Sequence, residues 1–336
     1  MKAVVLLRGV GSVGASLLGL LVLTFLIGRV MPLDPVLAIV GPDADRSTYL
    51  QVQQQLGLDQ PLAVQFGRYL LTLAQGDLGR ALLTGNPVAA DLARVLPATV
   101  ELATLAMLIG TLLGVPLGVL AATHHGRWPD HLARMLGLLG HSTPVFWFGM
   151  MGLLVFYAWL GWAGGIGRIG LAFEGTVPTV TGLLLVDAAL AGDAAAWRST
   201  LRHLLLPAAV LGLHSMAYLS RMTRSFMLVQ LSQEYITAAR VKGLSERQVV
   251  WGHAFRNIRV QLLTIVALAY GGLLEGAVLT ETVFGWPGFG SYLTSSLLLG
   301  DMNAVMGSVL VIGVLFVSLN LLADALYRVF DPRAAA

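Results

Sequence analysis

Six stretches of the 336-residue chain stay apolar for close to 20 residues or more. That is the length an α-helix needs to cross a hydrocarbon core of ~30 Å. They run roughly Val10–Gly28, Thr99–Ala121, Leu132–Trp162, Leu204–Ser220, Val260–Val283 and Met302–Leu326. Lipid offers no hydrogen bonds to the backbone, so such stretches fold as helices that satisfy themselves. The fold class is therefore an all-α membrane protein with six transmembrane helices. Composition agrees: only 12 % of residues are charged, half the ~25 % of a soluble domain. The third stretch is long enough to break, and Pro144 near its start predicts a kink. Leu183–Leu190 is too short to span and carries Asp187, which predicts a helix lying in the interface. The first stretch follows Lys2 and Arg8 but is too long for a cleaved leader and lacks a small-x-small cut site, so it reads as a signal anchor.

Charge sets the orientation. With a cytoplasmic N-terminus, thirteen basic and four acidic residues fall inside, against eight basic and ten acidic outside. Both termini then face the cytoplasm. Residues 1–97 form an N-terminal span with a large external segment, punctuated by Pro32, Gly41-Pro42, Gly57 and Pro61. Residues 98–330 form a core of five spans with a second external stretch, Ala163–His203. Its main cytoplasmic loop, residues 221–259, holds seven of the inner basic residues.

That loop reads as two short helices around a glycine. Ser232 and Glu234 open the first, Tyr235, Ile236, Ala238 and Ala239 recur at helical spacing, and Gly243 closes it as a C′ residue. Ser245 and Gln248 form a capping box for the second, whose inner side holds Val249, Val250, His253, Ala254 and Asn257. A compact basic knob with small residues at Ala238, Ala239 and Gly243 suits close approach by another protein. Anionic lipid is the competing occupant.

Several chemistries are excluded. The chain has no cysteine, which removes disulfides, thiolate nucleophiles and zinc knuckles. Its two lysines are followed by Ala3 and Gly243, so neither completes a Walker A loop. Two G-x-G-x-x-G matches, at Gly9-Gly11-Gly14 and Gly165-Gly167-Gly170, lack the preceding strand of a dinucleotide site. His124, His125 and His131 cluster without a fourth metal ligand. An intramembrane protease would need Ser142 and His141 to act together, yet neighbours on a helix point about 100° apart. Gly110, Gly114 and Gly118, and again Gly272 and Gly276, form small-x-x-x-small faces expected to pack helices closely. Glu275 is the acid deepest in a span, and either lines a pathway or pairs structurally. Structural roles are expected of Glu101, Glu281 and Asp324.

The loop Glu234-Tyr235-Ile236-Thr237-Ala238-Ala239-Arg240-Val241-Lys242-Gly243, followed by His253 through Asn257, resembles the EAA loop of bacterial ABC-importer permeases. Met31-Pro32-Leu33-Asp34-Pro35, Glu281 through Gly290, and Asn320 through Arg333 are similar to signatures of the dipeptide/oligopeptide subgroup. Leu33 stands where that subgroup has glycine, Thr237 where an acid is usual, and Glu275 where a small apolar residue is usual. The resemblance implies a MetI-like permease core with an added N-terminal span and large external loop, in the bacterial inner membrane. It implies one half of a translocation pathway for peptides, most simply dipeptides, with nickel or glutathione as alternatives. The implied partners are a second homologous permease, two ABC ATPase subunits, a periplasmic or lipid-anchored solute-binding protein and membrane lipid, with no nucleic acid. This chain is then not an enzyme and binds no cofactor; ATP and magnesium sit on the ATPases. Glu234, Thr237, Ala238, Ala239, Arg240, Lys242, Gly243, His253 and Asn257 would form the ATPase-coupling surface.

Overall fold

A computed structural model describes residues 2–30 and 35–330, without the side chains of 2–13, 29, 30, 35, 38, 141, 275, 324 and 326–330. Among the described residues four helices are long and apolar enough to cross a membrane: Val88–Thr123, Ala194–Leu231, Gln248–Leu274 and Met302–Ala323. A broken pair, Trp128–Gly140 with Val145–Trp159, makes a fifth if counted as one span. Gly14–Gly28 is a shorter apolar helix. By length and apolarity the described residues thus hold four or five of the six expected spans, the first of which begins within residues 2–13, whose side chains lie outside the described set. The only β pairing among the described residues is an isolated bridge between Arg80 and Pro87.

The chain divides into two compact units, Met1–Leu96 with Ser291–Ser318, and Pro97–Gly290 with Leu319–Ala336. The first unit contains α1 (Lys2–Val30), α2 (Pro35–Val40), α3 (Arg46–Gln55) and α4 (Leu62–Ala74). It also contains the start of α5 (Val88–Thr123), though the rest of that helix belongs to the second unit. Phe25 of α1 is buried edge-on against Phe66 of α4, ring centroids 5.2 Å apart. Asp301 is buried and accepts from the backbone N–H of Leu82 (2.6 Å) and Ala304 (3.2 Å). The carboxylate thus ties the bridge hairpin to a helix start, where acceptors are favoured.

The second unit carries α5, α6 (Trp128–Ser142), α7 (Val145–Gly152), α8 (Leu184–Leu190), α9 (Ala194–Leu231), α10 (Glu234–Val241) and α11 (Phe255–Phe284). Helix α12 (Phe289–Leu298) straddles the division, and α13 (Met302–Phe330) begins in the first unit and ends in the second. The kink expected at Pro144 is a break of 95° between α6 and α7. Thr143 is extended there (φ −89°, ψ 131°), because proline bars its predecessor from the helical region and has no N–H to donate. Helix α9 is far longer than its apolar segment. It starts on Asp193, whose carboxylate accepts from Ala195 and Ala196 N–H at 2.9 Å, and runs on past Arg221 and Arg224. The loop that follows is correspondingly shorter than residues 221–259. Sequence reading stopped the helix at its first arginine, but a helix leaving the membrane keeps its backbone bonds and only changes its side chains.

The glycines of α5 pack as expected. A Cβ at Gly110 would lie 2.6 Å from Ser215 Cβ, at Gly114 2.8 Å from Met216 O and at Gly118 2.5 Å from Ser220 O, all on α9. Those of α11 do not: a Cβ on Gly272 or Gly276 would meet nothing within 4 Å. Among the described residues that face is open, and the two glycines line a cleft with His214 and Tyr218.

Candidate functional site

The knob over residues 234–258 is built from its core outward. Ile236 and Ala239 of α10 are buried together with Val249, Val250, Ala254 and Ile258. The same cluster takes in Val119 and Ala122 from the end of α5 and Met227 from α9. One apolar core therefore fastens α10 to three long helices. Gly243 ends α10 at φ +82°, a left-handed turn that suits glycine. The capping box forms: Ser245 N–H donates to Gln248 Oε1 (3.0 Å) and Gln248 N–H to Ser245 Oγ (3.4 Å). Across the turn, Arg240 donates to both oxygens of Glu246, at 2.8 and 3.2 Å. That guanidinium holds the Glu246 carboxyl below the usual carboxylate range.

Two local expectations are corrected. Ser232 is the C-cap of α9 and donates to Val229 O rather than opening α10; the N-cap of α10 is Gln233. His253 and Asn257 face outward, not inward. The cause is a π-helix over Gln248–Ala254. In an α-helix His253 would stack above Val249 at i+4; the wider i to i+5 turn puts Ala254 there instead. Asn257 then donates to Tyr235 Oη (2.9 Å), whose hydroxyl donates to Gln230 Oε1 (2.8 Å).

What remains outward is a surface. Glu234, Thr237, Ala238, Arg240, Lys242 and Gly243 are exposed, while Ala239 is buried in the core. Sequence reading missed Val241, which lies one turn beyond Ala238 and is 83 % exposed. An apolar β-branched side chain left in water beside a small alanine is the kind of anchor a protein partner covers. Its position three residues after Ala238 was the available signal.

At the opposite ends of α5 and α11 the acids are structural. Glu281 is fully buried and accepts from Thr99 Oγ1, while Phe289 N–H donates to the same hydroxyl at 2.7 Å. A Cβ on Gly288 or Gly290 would collide with the Glu281 carboxylate, at 2.3 and 2.9 Å, so only glycine lets this turn close over it. Trp286 is buried and donates to Ala98 O (3.0 Å), with the Arg168 guanidinium 5.6 Å from its ring centroid. Arg168 pairs with Glu101, which also accepts from Leu185 N–H (2.7 Å). Asp187, in the first turn of α8, is buried. Burial alone would raise its carboxyl, but donors on Val180, Thr181 and Gly182 hold it below the usual value.

Gly9-Gly11-Gly14 lies inside α1, and Gly165-Gly167-Gly170 lies in irregular chain against Tyr157 and Ser199. His124 meets Thr123, His125 meets Asp130, and His131 meets Arg134. Glu275 lies on α11, three residues from Gly272, with its side chain outside the described residues, as is that of Asp324. Most of the Met31–Pro35 signature and the terminal Asp331–Arg333 also fall outside them.

Comparison with known proteins decides the class. Residues 114–336 match the family described as binding-protein-dependent transport system inner membrane component. The chain belongs to that family. Residues 1–103 match the corresponding N-terminal membrane component. Among relatives of this transport family, the chain is 43 % identical over 316 residues to the probable D,D-dipeptide transport system permease protein DdpB of Escherichia coli K12, covering 94 % of this chain and 92 % of that one. It is 38 % identical over 327 residues to the di/tripeptide transport system permease protein DppB of Pseudomonas aeruginosa, covering 97 % of each. In solved structures the fold is shared with an inward-facing MetNI methionine ABC transporter chain, at TM-score 0.53 and 16 % identity over 71 % of this chain and 96 % of that one. The family's MetI-like helical fold is thereby established for this membrane-embedded transport component.

Proposed function

We propose that this permease forms half of the translocation pathway of an ATP-driven importer of short peptides, most simply dipeptides. The single observation that carries the reading is the knob: an exposed face of Ala238 and Val241 on a core shared by α5, α9 and α11. A lever must be stiff to transmit motion, and a capped helix seated on three long helices is stiff. Two separate ATPase subunits grip this face and its copy on a second homologous permease, and they carry the ATP and magnesium. Glu234, Arg240, Lys242, His253 and Asn257 rim the contact. A solute-binding protein delivers substrate on the outer side of the inner membrane. Six spans with both termini cytoplasmic complete the arrangement. The D,D-dipeptide and di/tripeptide relatives support the substrate class. Glu275, one residue before the open Gly276, meets the substrate ammonium within the pathway.

The test is Ala238→Arg in the assembled transporter. Uptake of labelled dipeptide is expected to fall more than ~10-fold, a loss of about 1.4 kcal/mol or more of coupling, while the chain still accumulates in membranes. Uptake at the wild-type rate overturns the coupling role. Competition among dipeptide, tripeptide and nickel in a strain lacking the chain tests the substrate, and a defect confined to nickel overturns the peptide reading. Unchanged uptake of every peptide by Glu275→Gln removes that residue from the pathway.

A further inference from the structure

Between α6 and α9, near the knob, lies a cleft of about 340 Å³ whose two ends differ in chemistry. One end is cationic, lined by Arg134, Arg221 and Arg224; the other is small and apolar, lined by Gly137, Leu138 and Ala217. The single acid at the cationic end is Asp130, fully buried at the start of α6. Arg224 satisfies it with two bonds, at 2.6 and 2.9 Å. Arg134 stands 3.7 Å from the same carboxylate and shares its Nη2 with His131 at 2.7 Å. Arg221 has no ion-pair partner among the described residues. Three guanidiniums facing one carboxylate leave two positive charges without a counter-ion.

We propose that this cleft holds the phosphodiester headgroup of an anionic phospholipid, with an acyl chain running along the apolar end. The charge demands an anion, and the change from arginine to leucine along one groove follows the change from headgroup to hydrocarbon. Trp128, 73 % exposed at the first residue of α6, marks the same level, since tryptophan favours the membrane–water boundary. Beyond it Leu138, Met135 and Leu139 are exposed on α6, beside the path of the chain. Basic pockets between helices on the cytoplasmic side are suited to such headgroups. A second copy of this chain would bring the same excess positive charge to the cleft, so it is disfavoured as the occupant. The inference needs α6 and α9 to meet lipid but not the peptide substrate or the ATPase contact, and it is tested without transport.

The experiment is native mass spectrometry of the transporter released from nanodiscs of phosphatidylcholine with or without phosphatidylglycerol. The wild-type complex is expected to retain phosphatidylglycerol in preference to phosphatidylcholine. Arg221→Gln and Arg134→Gln should each cut that retention about fivefold, the effect of one basic side chain near a headgroup. Arg221→Lys, which keeps the charge, should restore it and shows that the complex tolerates change at this position. Inorganic phosphate at millimolar concentration should not displace the lipid, which separates a lipid site from one for the free ion. Equal retention of both lipids, equal retention by wild type and both glutamine variants, displacement by phosphate, or a cross-link showing protein in the cleft would each overturn the proposal.

Discussion

Helices α5 and α11 carry the same motif and treat it in opposite ways. On α5 the glycines at 110, 114 and 118 are filled by α9, backbone almost against backbone. On α11 the glycines at 272 and 276 face open space beside His214 and Tyr218. Spacing of four residues makes a flat helix face in both cases. It does not say whether the neighbour comes from the same chain. The filled face belongs to the fold of the subunit, and the open face is free among the described residues, which under the proposed function suits a partner permease or the pathway.

Substitution separates the two directly. Gly118→Leu places a branched side chain where even a Cβ sits 2.5 Å from Ser220 O; overpacking of this kind costs roughly 3 kcal/mol or more against backbone. The variant should fail to accumulate in membranes, seen by fluorescence-detected size exclusion. Gly272→Leu should leave accumulation and melting of the subunit unchanged and instead cut dipeptide uptake or permease pairing. If Gly272→Leu unfolds the chain, or Gly118→Leu is harmless, the distinction collapses.

Smaller effects sharpen it by testing sites satisfied wholly within the chain. Asp187→Asn removes an acceptor oxygen from a buried carboxylate with several donors, for about 1–3 kcal/mol, read as a lower melting temperature at neutral pH. The native carboxyl lies below its ordinary value, so its contribution is complete above the unfolded pKa near ~3.9 and is lost as pH falls through the lower native value. The gap between wild type and variant should therefore narrow in acid. Gly243→Ala forces a side chain into φ +82° and costs about 1–2 kcal/mol, seen as faster amide exchange in α10. Arg240→Gln, at an exposed pair, should shift stability by no more than ~1 kcal/mol.

Much of this architecture is legible in the chain. The apolar segments, the break at Pro144, the glycine C-cap and the capping box all follow from local chemistry that tertiary packing leaves intact. Three things were not legible. The length of α9 is hidden because arginines end an apolar run without ending a helix. The π turn at Gln248–Ala254 changes which residues face inward, and periodicity assumes 3.6 residues per turn throughout. The open face at Gly272 depends on how α9 and the start of α7 pass beside it, with His214, Tyr218 and Val145 on its border, which no local pattern encodes.

The ion pair between Glu101 and Arg168 sets an order of events. The two residues are 67 positions apart, and a ribosome adding about 5–20 residues per second makes the acid roughly 3–13 s before its base. During that interval α5 is an apolar helix whose N-terminal half carries a carboxyl without its arginine. Glu101 gains its full set of partners only once Arg168 and Leu185 have been made and folded back onto α5. Docking of the segment holding Arg168 and Leu185 is thus a late step that completes the N-terminal half of α5.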